Sequence, residues 1–227
     1  MHMTAIRSSL ALALFAVAAG CGAKTDASRA NFERGMRAYL AKRGDLCVGW
    51  KRWPIDVTDA QVAAGAADAL QLPVLERLGI VSSTVLPVRE EGRAMPFEVR
   101  RYRLTAKGRQ SYRERATHEL VIPDDPTAWQ RGDLCVASLS LARVESWDLQ
   151  RGAKPPTALV SYTYGLEAPA WTADDGLRKV FPAVARVLRG VGSAQLVEGF
   201  TLTADGWVAN ELLPGAEPPR PAQAAAP

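Results

Sequence analysis

Four segments of the chain carry the apolar residues typical of strands, and in one of them apolar and polar residues alternate with the two-residue period of a strand with one buried face. This segment contains Val160, Tyr162, Tyr164 and Leu166, which are separated by polar or small residues. The four predicted strands are Val81–Val88, Phe97–Leu104, Ala158–Leu166 and Gln195–Leu202. We therefore expect an antiparallel sheet in each of two parts of the chain.

The first region with helical signals precedes the predicted strand at residue 81. Thr58 and Gln61 have the spacing of a capping box, which would open a helix that continues through Ala69. Leu72-Pro73 then starts another helical turn, and Gly79 marks its end. The pattern predicts two short helices that meet at this proline.

The second helical region lies between the last two predicted strands. Thr172 or Asp174 can cap its first turn, and Pro182 predicts a kink or a restart of the helix. The apolar positions of this region recur with the spacing of a helix that buries one face: Leu177, Val180, Phe181, Val184, Val187 and Leu188.

A six-residue segment occurs twice in the chain. Arg43-Gly44-Asp45-Leu46-Cys47-Val48 is repeated without change at 131–136. Weaker similarities relate 72–75 to 181–184 and 104–108 to 202–206, in the same order. We interpret these matches as an internal duplication, the alternative being reuse of common turn sequences. The predicted fold is α+β, with related halves at 31–116 and 117–213, each a helix plus a small antiparallel sheet.

The first half also resembles a known fold family. A helix that ends in residues 75–80, two strands, and then Tyr102-Arg103-Leu104-Thr105-Ala106-Lys107-Gly108-Arg109 resemble the helix-plus-wing portion of winged-helix proteins. The resemblance implies a shape rather than a function, because no helix here is identified as one that reads DNA bases.

Composition narrows the class of protein. The 227 residues are 48% hydrophobic and 23% charged, with a net charge of +4. These values are typical of a globular protein and exclude a collagen, a coiled coil or a fully disordered chain. Residues 214–227 carry five prolines and no apolar period, so we predict a disordered tail there.

The first twenty residues have the pattern of an export signal. Arg7 precedes the apolar segment 10–19, which is about half as long as a membrane-spanning helix. Ala18-Ala19-Gly20-Cys21 resembles the lipobox of bacterial lipoproteins. That resemblance implies removal of 1–20, attachment of diacylglycerol to Cys21 and acylation of the new amine. The alternative is an ordinary signal peptide with an incidental cysteine.

The resemblance also implies a location. A Gly at position 22, rather than an Asp, favours the periplasmic face of the outer membrane by the sorting pattern of Gram-negative lipoproteins. Stable anchoring needs two or more buried acyl chains, which this modification supplies. Residues 21–30 are small and polar, so we predict a lipidated tether there.

Two cysteines remain after Cys21 is set aside. Cys47 and Cys135 occupy equivalent positions of the repeated segment, and an oxidising compartment permits disulfides. If the halves pack about a two-fold axis, equivalent residues near the axis face each other. We expect a Cys47–Cys135 bridge, and the alternative is two separate buried thiols.

Basic residues are concentrated at 89–115, which contains nine Arg or Lys and four Glu. On an exported protein, the anions that such residues meet are lipid headgroups or an acidic envelope partner. The alternative is a solvated charged face. The residues that we select for anion or partner contact are Arg100, Arg101, Arg103, Lys107 and Arg109.

No enzyme motif occurs in the sequence, and three cysteines with two histidines do not make a zinc framework. We expect a lipid-anchored, non-catalytic binding or scaffold module, bound to the membrane through Cys21, with no metal, no cofactor and no nucleic acid. The first alternative is an envelope hydrolase or cell-wall enzyme, and the second is a cytoplasmic winged-helix regulator that binds DNA.

Overall fold

The computed structural model describes residues 23–49, 53–89, 95–114 and 132–216. The predicted signal segment, Cys21 and most of the predicted tail therefore lie outside the described residues. The α-helices are α1 (Arg29–Arg43), α2 (Asp59–Ala63), α3 (Ala67–Arg77), α4 (Ala106–Gln110), α5 (Asp175–Val180) and α6 (Pro182–Arg189). The strands are β1 (Asp45–Cys47), β2 (Ile55–Thr58), β3 (Val81–Val88), β4 (Phe97–Leu104), β5 (Tyr112–Glu114), β6 (Gly132–Gln150), β7 (Thr157–Glu167), β8 (Gln195–Thr203) and β9 (Gly206–Ala209).

Helix α1, with 15 residues, is a major element that was not predicted from the sequence. The side chain of Ser28 caps its first turn, and basic residues occupy its last turn, where they favour the negative end of the helix dipole. Phe32, Met36 and Leu40 recur every four residues and are buried. This spacing is the signal from which α1 could have been predicted.

The larger sheet is antiparallel throughout. Its strand order is β1-β6-β7-β8-β9, and β5 pairs with β6 near the start of that strand. Strand β6 is 19 residues long and carries two bulges against β7, between Leu141 and Arg143 and between Val144 and Ser146. Bulges increase the local twist of a strand, and the sheet is accordingly curled.

The smaller sheet has the order β2-β4-β3 and is also antiparallel. The bounds of β3 and β4 coincide with two of the strands predicted from the sequence. Strands β7 and β8 also cover the two other predicted strands, each extended by one or two residues. Val160, Tyr162 and Tyr164 are buried on one face, as their alternation predicts.

The capping box at Thr58 and Gln61 is present, but the helix that it opens is shorter than predicted. Helix α2 ends before Gly65, whose φ of 64° lies in the left-handed region that favours glycine. The next helix, α3, continues through Pro73 without a break. The chain therefore interrupts the helical region at the glycine instead of at the proline.

The second helical region follows the prediction closely. The Asp174 side chain accepts a hydrogen bond from the Leu177 N–H at 2.9 Å and caps α5. Helix α6 then starts at Pro182, where the missing N–H of proline costs no hydrogen bond. The restart is the second of the two outcomes that we gave for this proline.

Two apolar clusters form the core, and each contains side chains from both predicted halves. In the first, β2, α3, β3 and β4 contact Leu134, Val136 and residues of α5 and α6. In the second, Phe32, Met36 and Leu40 of α1 contact the concave strands β6, β7, β8 and β9. The halves are thus joined by shared cores.

The fold class is α+β, as predicted. The two predicted halves do not have the same sheet arrangement. Strands β6 to β9 of the second half lie together in the larger sheet, whereas in the first half β1 belongs to the larger sheet and β2 to the smaller one. The repeated hexapeptides nonetheless meet, because β1 pairs with the start of β6. The internal duplication stays a prediction from the sequence.

Candidate functional site

Cys47 and Cys135 form a disulfide bridge between β1 and β6. They stand directly opposite each other in the antiparallel register of these strands, next to a register shift between Leu46 and Cys47. On either side of the bridge, the Val48 N–H donates to the Leu134 carbonyl at 3.0 Å and the Leu139 N–H donates to the Gly44 carbonyl at 2.8 Å. Of the two alternatives that the sequence left open, the bridge is the one observed.

A small pocket adjoins the buried end of this bridge. Its volume is about 60 Å³. Ligand sites for small molecules typically enclose about 300–1,000 Å³, so this pocket has room for water rather than for a substrate. The residues that line it are Gln110, Ser111, Arg113, Cys135, Ala137, Ser138, Glu167 and Pro169.

Of the basic residues selected from the sequence, Arg101 has the strongest partner. Its Nε and Nη2 atoms donate to the two carboxylate oxygens of Asp56 on β2, at 2.6 and 2.5 Å. This hydrogen bonding lowers the pKa of Asp56 below its ordinary value. The pair fixes β2 against β4, and the charge of Arg101 is already compensated.

Three more of the selected cations bind groups of the fold itself. The Lys107 Nζ donates to the Leu78 carbonyl at 2.9 Å, which satisfies the carboxyl end of α3. The Arg109 guanidinium donates to the Leu104 carbonyl at 3.1 Å, and Arg100 donates to the Ser83 hydroxyl at 3.2 Å.

Arg103 is exposed, and no hydrogen bond or ion pair of its side chain occurs among the described residues. The structure therefore places the five selected cations on β4 and α4 without gathering them into one open cluster. Their role in anion or partner contact stays a prediction.

A cluster of two tyrosines and two glutamates was not apparent from the sequence. Tyr39 on α1 donates a hydrogen bond from its hydroxyl to the Glu211 carboxylate at 3.4 Å, and it also reaches Glu198 on β8. Tyr162 on β7 lies beside them and is buried. Glu211 lies in the short 3-10 helix Asn210–Leu212 after β9, so four different elements supply these side chains, and no spacing along the chain relates them.

Burial and mutual repulsion shift the proton affinities in this cluster. Burial, followed by the negative charge of Glu211, raises the pKa of Glu198 above its ordinary value. Burial raises the pKa of Tyr162 to about 12, and it raises the pKa of Tyr39 as well. Both hydroxyls are therefore protonated at neutral pH, and Tyr39 acts as a hydrogen-bond donor to Glu211.

The segment just before α1 is tied to the fold. The Asn31 side-chain amide donates to the carbonyl oxygens of Ala23 and Asp26, both at 2.9 Å. The Trp207 indole donates to the same Asp26 oxygen at 3.1 Å. Lys24 lies 3.7 Å from the Asp205 carboxylate in the turn between β8 and β9.

This arrangement corrects the tether that we predicted over 21–30. From Ala23 onward, the described part of that segment is held by hydrogen bonds, and Arg29 and Ala30 belong to α1. One of the groups that hold it is the nearby Asn31, and the other is Trp207, which lies 181 positions away from Asp26 and could not be linked to it by local pattern.

No protein-family model, no curated protein and no solved structure matches this chain. Within the part of the chain that the structure describes, no group of three or more His, Cys, Asp or Glu side chains is placed to hold a metal ion. None of the helices in that same part is long and apolar enough to cross a bilayer.

Proposed function

We propose that this chain is an exported lipoprotein, anchored through Cys21 to the periplasmic face of the bacterial outer membrane, and that it serves as a non-catalytic binding or scaffold module. The observation that carries the proposal is the Cys47–Cys135 bridge. Structural disulfides persist in oxidising compartments and are rare in the bacterial cytosol. The bridge and the lipobox-like sequence thus support the same compartment independently.

The lipid anchor is supported by the residues that precede the fold. Ala18-Ala19-Gly20-Cys21 resembles the lipobox, and Gly22 follows it. The diacylglycerol and the additional acyl chain that this resemblance implies would hold the folded part at a bilayer surface. Residues 1–20 would then serve as a signal peptide for export and would be absent from the mature protein.

The non-catalytic role is supported by the side chains that the fold brings together. The Glu198–Glu211 pair is a carboxylate pair of the kind an envelope hydrolase could use, but it does not line the cavity beside Cys135. The Tyr39 hydroxyl has one proton to donate, which goes to Glu211 at 3.4 Å, and the same hydroxyl also interacts with Glu198. In this geometry the two glutamates join α1 to β8 and to the short 3-10 helix Asn210–Leu212 that follows β9, which is a structural role.

We also propose, at the finer level of the fold, that the halves arose by duplication and that the first contains a winged-helix-like unit. The repeated hexapeptides that meet in β1 and β6 support the duplication. The β2-β4-β3 sheet, with α2 and α3 before its hairpin, supports the second suggestion. Helix α1 departs from it by packing on the larger sheet.

The test is expression in a Gram-negative bacterium, followed by membrane fractionation and mass spectrometry of the mature amino terminus. The wild-type chain should lose residues 1–20, carry acyl groups on Cys21 and sediment with the membranes. The Cys21→Ser variant should not be lipidated and should leave the membrane fraction. A matched control is the Cys47→Ser/Cys135→Ser double variant, which should lose the bridge and keep the anchor. Unprocessed wild-type chain dissolved in the cytosol would contradict the proposal.

A further inference from the structure

The first fixed residue of the fold lies very close to the proposed anchor. Ala23 is bound through its carbonyl to Asn31, so only Gly22 separates it from Cys21. An extended chain spans at most about 3.6 Å per residue, which places the Ala23 Cα within about 7 Å of the Cα of Cys21. A lipid on Cys21 would therefore leave no spacer between bilayer and fold.

The neighbours of this segment identify one end of the larger sheet. Lys24 contacts the turn between β8 and β9 through Asp205 and Gly206. Strand β7, which pairs with β8, begins at the same end of the sheet, because the Leu202 N–H at the end of β8 donates to the carbonyl of Pro156, just before β7, at 2.8 Å. The connection between β6 and β7 runs from residue 151, after the end of β6 at Gln150, to Pro156. We define the anchor end as residues 23–26, 151–156 and 204–205.

We propose that the anchor end faces the bilayer and that Arg151 and Lys154 contact the phosphates of anionic lipids. This inference rests on the proposed lipidation of Cys21. Both side chains are exposed at the tip of the β6–β7 connection, and no ion pair of theirs occurs among the described residues. Lysine and arginine at a membrane surface are attracted by anionic headgroups, within about a Debye length.

The acidic residues at the anchor end do not outweigh these cations. Asp205 is paired with Lys24, and the carboxylate of Asp26 is the other acidic group at this end. With Lys24 included, three cations face two carboxylates across this end. The end is therefore compatible with an anionic surface.

The same geometry turns the smaller sheet away from the membrane. The β2-β4-β3 sheet packs near Leu134 and Val136, at the opposite end of β6 from Gln150. A strand rises about 3.3 Å per residue, so the two ends of the 19-residue strand β6 are separated by on the order of 60 Å along the strand. Arg103 and its neighbours on β4 consequently face the aqueous space, where they are available to a partner other than the anchoring membrane.

The test measures the depth of single fluorophores in the full-length lipidated protein. Vesicles of phosphatidylcholine and phosphatidylglycerol carry a nitroxide quencher on the lipid headgroup. One variant places the label at the anchor end through Lys154→Cys, and the matched variant places it on β3 through Ser82→Cys. The bridged Cys47 and Cys135 stay unlabelled, which the wild-type chain verifies. We expect strong quenching at position 154 and little at position 82.

A second measurement tests the cations. A label at Ala204→Cys should be quenched more strongly when phosphatidylglycerol is added to phosphatidylcholine vesicles. The Arg151→Gln/Lys154→Gln variant should lose at least half of that increase. Lys179 is exposed on α5, which packs with the smaller sheet that carries Arg103. The Arg103→Gln/Lys179→Gln variant therefore removes the same charge from the opposite end and should retain the increase.

The outcomes separate the inference from the function on which it rests. A chain whose mass shows no lipid on Cys21 would overturn both. A lipidated chain with equal quenching at 154 and 82, or with the stronger quenching at 82, would overturn the orientation alone. An increase at position 204 that survives in the Arg151→Gln/Lys154→Gln variant would overturn the assignment of these two cations.

Discussion

Cys135 on β6 stands directly opposite Cys47 on β1, and the two sulfurs are bonded. Strand β1 has three residues, and it is joined to a strand 88 positions later in the chain. The few hydrogen bonds of so short a strand pair contribute little free energy compared with the entropy lost in closing a loop of this length. The bridge therefore holds the connection between α1 and the smaller sheet against β6.

Removing the bridge should destabilise the fold. The Cys47→Ala/Cys135→Ala variant is expected to lose about 2–4 kcal/mol in the free energy of unfolding, because the unfolded chain regains the freedom of the long loop. Urea denaturation of the wild-type and double variant gives this difference. Wild-type protein treated with a reductant should approach the double variant, and identical midpoints in the oxidised and reduced states would count against this role.

Gly35 is required where α1 crosses the larger sheet. A Cβ on this residue would lie 2.5 Å from the Trp207 carbonyl oxygen and 2.8 Å from the Phe200 ring. We expect Gly35→Ala to cost about 1–3 kcal/mol, because the backbone of β9 must move to admit the methyl group. The exposed neighbour Ala38, changed to Ser, is the control and should shift the midpoint little. Thermal denaturation compares the two.

Glu198 should make stability fall with rising pH. Because the pKa of Glu198 is raised in the fold, the folded state holds its proton more tightly than the unfolded state does. Its contribution is thus most favourable below the unfolded value, and it is lost as the pH rises through the folded value. Glu198→Gln removes the charge and keeps an oxygen for Tyr39, so we expect a gain of up to about 1 kcal/mol at neutral pH.

Denaturation of Glu198→Gln between pH 4 and 8 measures this effect. The gain over the wild type should shrink as the pH falls, since the wild-type carboxyl then carries a proton. The exposed Glu98, changed to Gln, serves as the control. A constant difference at every pH would show that charge on Glu198 is not the cause.

Asp174 makes the opposite contribution. Its hydrogen bonds to Arg77, at 2.7 and 3.1 Å, and to the start of α5 lower its pKa to about 2. A lowered pKa gives stability that is present above the unfolded value and lost as the pH falls through the folded value. Asp174→Asn keeps the cap and loses the ion pair, whereas Asp174→Ala loses both.

We therefore expect melting temperatures at neutral pH in the order wild type, Asp174→Asn, Asp174→Ala. The difference between wild type and Asp174→Asn should vanish near pH 2. Thermal scans at pH 7 and at the lowest pH where the fold persists compare the three. Equal effects of both substitutions at neutral pH would assign the whole contribution to the ion pair.

Local features of the fold could be predicted from the sequence. The bounds of β3 and β4, the capping box at Thr58 and the start of α6 at Pro182 all follow from residues within a few positions of each other. Cysteine pairing was also accessible, because with Cys21 set aside only two cysteines remained. The strand bounds, the cap and the helix start depend on backbone geometry and residue chemistry, which neighbours along the chain determine, whereas the cysteine pairing depends only on how many cysteines remain.

Features that depend on residues distant in sequence could not be predicted in this way. Only the tertiary structure decided that Asp56 neutralises Arg101, that Tyr39 joins Glu198 to Glu211, and that Trp207 ties down the segment after Cys21. Hydrogen bonds and ion pairs form between groups that the fold brings within about 3 Å, whatever their separation along the chain. The sequence alone thus indicated four of the strands, the two helical regions after Thr58 and Asp174, and the candidate export signal. The packing of the elements decided which charges remain free and which end of the sheet adjoins Ala23.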